Sequence, residues 1–141
     1  HAMAVVIAIR IVVVIIIALT GHYPQQPYLE EFTKKELLFF GLIVAPLLES
    51  LLIIGLLWLF TRRLSQGVAT LLTAATFGLL HLDTGVDGFT VLMISLAGYI
   101  YIRFYYKARQ RGISGYWLMV VIHLLDNAIS VSSELIQYMS S

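Results

Sequence analysis

Glu49, His81, His123 and Asn127 stand inside segments that are otherwise almost continuously apolar. A carboxylate, two imidazoles and a carboxamide are groups that take a proton, return it, and donate hydrogen bonds to developing negative charge. Ionisable side chains at membrane depth are costly and rarely idle, so these four are a candidate active centre if they meet. His1 is set aside, because His1-Ala2 ahead of Met3 reads as a cloning remnant.

A depth count asks whether they can meet. At a rise of about 1.5 Å per residue, Glu49 lies about 16 Å in from Phe60 and His81 about 20 Å in from Val68; counted from Ile113, His123 lies about 15 Å in and Asn127 about 21 Å. All four fall near one level, and the i, i+4 pair His123 and Asn127 shares a helix face. Spacing does not say whether the faces of three helices turn toward one another. The cost of leaving such groups in lipid favours a shared, hydrated interior cavity.

The elements that must position them are membrane helices. Of the 141 residues 60% are hydrophobic and 12% charged, and the mean hydropathy is +0.90, well above what a soluble domain needs. A net charge of +1 with basic residues at the ends of apolar runs argues against a nucleic-acid binder. Without cysteine there is no disulfide, thiolate nucleophile or sulfur-ligated metal, so a metal would need His, Glu, Asp or Asn.

The apolar runs predict an all-α, polytopic membrane bundle of about five transmembrane or membrane-buried helices in a single domain over 1–141. The first run, 4–20, contains only Arg10 as a charge and could alternatively be a secretory signal; a polar connection, 21–36, carries Pro24, Pro27, Glu30, Glu31, Lys34 and Lys35. The core, 37–139, holds runs over 37–60, 68–82, 89–106 and 116–139. Arg62 and Arg63 close one loop and Lys107, Arg109 and Arg111 another, which puts both loops and the N-terminus on the cytoplasmic side. Tyr99, Tyr101, Tyr105, Tyr106, Tyr116 and Trp117 read as an aromatic belt at that boundary. Gly41 with Ala45, and Ala74 with Gly78, are small pairs that suit close packing within the chain or a homo-oligomer contact.

Phe77-Gly78-Leu79-Leu80-His81 fits Phe-x-x-x-His, and His123-Leu124-Leu125-Asp126-Asn127 fits His-x-x-x-Asn, both downstream of Pro46-Leu47-Leu48-Glu49. This ordered set on successive helices resembles the CAAX prenyl protease and bacteriocin-processing (Abi) family of intramembrane endopeptidases, over about residues 45–130. The family's first motif is Glu-Glu-x-x-x-Arg; here Ser50 follows Glu49 and Ile54 stands at the arginine position. The chain is also short for the family, as either a minimal core or a trimmed chain would be.

The resemblance implies that Glu49 is a general base, that His81 helps hold and deprotonate a water, and that His123 and Asn127 stabilise an oxyanion. It implies membrane lipid and a peptide or lipidated protein tail as partners, and is compatible with a metalloprotease as well as with a glutamate-dependent enzyme without a cofactor, the second being the expectation here. Zinc on Glu49, His81 and His123 is the competing chemistry, but the carboxamide of Asn127 is a poor zinc ligand and a good oxyanion donor. The substitutions at Ser50 and Ile54 leave open a catalytically silent binding or scaffold protein, and the ionisable groups themselves leave open a proton or ion pathway. Asp126 could orient His81 or His123, or cap a water pocket. Pro46 cannot donate to the Leu42 carbonyl and is expected to kink its helix.

Overall fold

The computed structural model describes residues 39–140, with side chains other than those of Asp83 and of 131–140. The expected first span at 4–20 and the connection at 21–36 lie outside the described residues.

Every described element is helical. A π-helical turn, Phe40–Val44, runs into α1, Ala45–Thr61. Helix α2, Gln66–Leu79, passes into a 3-10 turn, Leu80–Thr84. Helix α3 is Gly88–Gln110 and α4 is Gly115–Ser140. These are the last four of the five expected runs.

Helix α1 packs against α2 and α4, α2 against α3, and α3 against α4, so the four close a ring. Inside it lie Ile53, Leu57, Phe77, Ile102, Met119 and Ile122. The outside is apolar too: Leu48, Leu51, Trp58, Leu71 and Leu92 are exposed. A helix that is hydrophobic all round needs an apolar surrounding on its outer face, which is what a bilayer supplies. Phe40–Thr61 and Gly88–Gln110 are long and apolar enough to cross a membrane, with hydropathies of 2.4 and 1.3, while the apolar stretch Gln66–Leu82 is shorter.

Two glycines let α2 and α3 touch. A Cβ on Gly78 would strike Ser95 Oγ and lie 2.6 Å from the Val91 carbonyl oxygen, and one on Gly98 would lie 2.9 Å from the Phe77 ring. The Ala74/Gly78 pair thus serves packing within the chain. The entry to α3 is capped by Asp87, whose Oδ1 accepts the Thr90 N–H at 2.8 Å. At the opposite end of α1, the Arg62 guanidinium lies 3.6 Å from the centre of the Trp58 ring.

Candidate active site

Pro46 shapes the start of α1 by what it lacks. In the π-turn the Ala45 N–H is bonded to the Phe40 carbonyl, one residue further back than in an α-helix. The Gly41 carbonyl thereby loses its α-helical donor, and its π-helical donor would be residue 46, a proline with no N–H. The amide Nδ2 of Asn127 donates to this oxygen at 2.8 Å. The expected response to Pro46, a kink, is thus a widened turn whose orphaned carbonyl is satisfied from α4.

Glu49 follows on the second turn of α1, with its side chain 29% exposed. Its Oε2 faces two imidazoles from two other elements: His123 Nε2 at 3.3 Å and His81 Nε2 at 4.0 Å. Glu49, His81 and His123 therefore meet, while the amide of Asn127 is engaged at Gly41.

The two imidazoles are held differently. His81 sits on the 3-10 turn, and its Nδ1 lies 2.9 Å from the Phe77 carbonyl of the preceding turn. A carbonyl only accepts, so Nδ1 carries the proton and a neutral His81 turns a bare Nε2 toward Glu49. Its side chain is 21% exposed. His123 is buried in the body of α4. Its ring stacks on Tyr101, centroids 4.7 Å apart and planes at 30°, and meets Phe77 edge to face at 6.3 Å. Its Nδ1 is buried with no hydrogen-bond partner.

Tyr101 belongs to the site and not to an aromatic belt: it is buried, and its hydroxyl donates to Asp126 Oδ2 at 2.6 Å. Asp126 accordingly holds the tyrosine that covers His123. The pattern of α3 carried a signal for this, since Tyr101 lies on the inward stripe with Gly98 and Ala108 while Arg103 and Lys107 point out. Trp117, by contrast, is exposed as a belt residue would be.

A carboxylate and a bare imidazole nitrogen 4.0 Å apart are two acceptors that one water can bridge, giving a hydrogen to each. A zinc fits less well. Around a tetrahedral zinc with bonds of about 2.0–2.2 Å, ligand atoms lie roughly 3.3–3.5 Å apart, which the Glu49–His123 pair matches and the Glu49–His81 pair exceeds. Among the described residues no three His, Cys, Asp or Glu side chains form a metal-binding group.

The two departures from the family motif have different surroundings. Ser50 is fully buried, with its hydroxyl unpartnered. Ile54 is packed against the core and lines an open groove of about 590 Å³ with Leu51, Ile113, Tyr105, Tyr116 and Arg109.

The family model for type II CAAX prenyl endopeptidases, Rce1-like, matches residues 32–129, a stretch that contains Glu49, His81, His123 and Asn127. No curated protein and no solved structure matches the chain. On that match over most of its length, the chain belongs to the Rce1-like family of CAAX prenyl endopeptidases, integral membrane proteases.

Proposed function

We propose that the chain is a multi-pass intramembrane endopeptidase that hydrolyses a peptide or a lipidated protein tail with a glutamate-activated water and no metal. One observation carries this reading: a single carboxylate oxygen of Glu49 lies between the Nε2 atoms of two histidines, at 3.3 and 4.0 Å. A water seated between Glu49 and His81 gives one proton to the carboxylate as its oxygen bonds to the peptide carbonyl carbon. Once protonated, Glu49 is a poorer acceptor for His123, whose Nε2–H is then free to meet the new oxyanion with the second N–H of Asn127. Donors that engage only as the charge develops stabilise the transition state and not the ground state. Glu49 then returns its proton to the amine as the C–N bond breaks, leaving a free amine and a carboxylic acid that gives up the second water proton to become the carboxylate.

The groove beside Leu51 and Ile54 suits the tail: apolar walls for a lipid chain, and Arg109 for a C-terminal carboxylate. The basic residues Arg62, Arg63, Lys107, Arg109 and Arg111 support a cytoplasmic side for that end of the helices and for the N-terminus.

The test is hydrolysis of an internally quenched, farnesylated CAAX-type peptide by the protein in proteoliposomes. Mass spectrometry of products formed in H₂¹⁸O is expected to show a single cut, with one labelled oxygen in the new carboxylate and an unchanged rate in EDTA. Loss of activity in EDTA that zinc restores would overturn the metal-free mechanism, and absence of cleavage would overturn the assignment.

A further inference from the structure

His123 needs an orienting partner that neither of its nitrogens provides away from Glu49. Its Nδ1 is buried without a hydrogen-bond partner, so the ring is set by what lies on its faces. The face contact is Tyr101, nearly parallel at 4.7 Å, and the edge contact is Phe77. The phenol is in turn fixed at its far end, where its hydroxyl reaches Asp126 Oδ2 at 2.6 Å, a length typical of a charge-assisted bond. Asp126 lies three residues beyond His123 on α4, so the helix that carries the imidazole also anchors the ring that covers it. The tyrosine comes from α3, across the helix–helix contact.

We propose that Tyr101 and Asp126 form a positioning clasp: Asp126 pins the Tyr101 hydroxyl, and the pinned phenol holds the His123 ring with Nε2 aimed at Glu49. Neither residue touches the reacting atoms. The proposal rests on the endopeptidase reading for its effect on rate, but its geometric content stands apart from it. A misaimed Nε2 would weaken the oxyanion contact more than substrate capture, because substrate binds before that contact forms.

The test compares Tyr101→Phe, which keeps the stacked face and loses the pin, with Asp126→Asn, Tyr101→Leu and the Tyr101→Phe/Asp126→Asn double variant, on the farnesylated peptide. Tyr101→Phe is expected to lower kcat about tenfold with KM within about twofold, as loss of an outer-shell orienting partner does. The double variant should be no slower than the worse single one, because both break the same bond. In protein labelled with ¹⁵N-histidine, His123 imidazole signals, assigned by their loss in the His123→Gln variant, are expected to shift or broaden in Tyr101→Phe. Wild-type kcat together with unchanged His123 signals in both Tyr101→Phe and Tyr101→Leu would overturn the clasp. So would a loss of kcat that only follows the folded fraction, with the signals unmoved. If Glu49→Gln cleaves like the wild type, the glutamate-activated mechanism fails, and if the wild type does not cleave, the endopeptidase reading fails; in either case the ¹⁵N spectra still judge the clasp.

Discussion

His81 and His123 present the same atom to the same carboxylate from opposite kinds of surroundings. His81 stands on a 3-10 turn at the end of α2, 21% exposed, aimed by a hydrogen bond from Nδ1 to the Phe77 carbonyl. His123 stands in the body of α4, 5% exposed, aimed by the stacked ring of Tyr101 and a T-shaped contact with Phe77. The hydrogen-bonded imidazole is the one that water can reach, and its fixed tautomer leaves Nε2 ready to accept. The packed imidazole is dry, and a donor in a dry site acts more strongly on developing charge. Phe77 serves both: its ring meets each imidazole in a T-shaped contact, at 5.0 Å for His81 and 6.3 Å for His123, and its carbonyl accepts from His81 as well. On the proposed mechanism the site divides into a more exposed side that handles the water and a buried side that handles the charge.

Removing each imidazole breaks that comparison if the division is wrong. His81→Ala and His123→Ala are both expected to lower kcat by about 10²–10⁴. They should differ in stability: His81→Ala by about 1 kcal/mol, a hydrogen bond lost near water, and His123→Ala by roughly 2–5 kcal/mol, a buried ring removed from a packed core. Chemical denaturation of the purified variants in micelles reads the difference; equal losses would mean that the two rings are held alike.

A smaller effect sharpens the same division at Asn127. Asn127→Leu leaves the Gly41 carbonyl without its side-chain donor and should cost about 1–3 kcal/mol. Pro46→Ala supplies a backbone N–H in the π register, so in that background the stability loss should shrink. If the double variant regains stability but stays slow on the farnesylated peptide, Asn127 also serves the oxyanion. If rate returns with stability, its part is confined to the π-turn.

Much of this was legible in the sequence. Four apolar runs bounded by Arg62-Arg63, Asp83 with Asp87, and Lys107 to Arg111 correspond to the observed helices, and Glu49, His81 and His123 stood out as costly groups at one depth. Their convergence was not legible, because α1 is apolar on every side and offers no polar stripe from which to read its rotation. The 3-10 turn under His81 was hidden as well, since no breaker interrupts Leu80–Thr84 before Gly85. Pro46 announced a disturbance but not its form, because the missing N–H is absorbed by a change of register one turn earlier. In the sequence Tyr101 groups with the aromatic belt for a simple reason: a tyrosine near the basic end of a span looks the same whether it faces lipid or the core. Only its place on the inward stripe of α3 separates the two.

The central claim is that Glu49, flanked by both histidines, activates the water, and Glu49→Gln tests it most directly. The substitution keeps size and hydrogen bonding and removes the base. Single-turnover cleavage of the farnesylated peptide is expected to slow by about 10³-fold or more, while crosslinking of the same peptide to the protein stays at the wild-type level. A Glu49→Gln protein that cleaves within a few-fold of the wild-type rate would contradict the account.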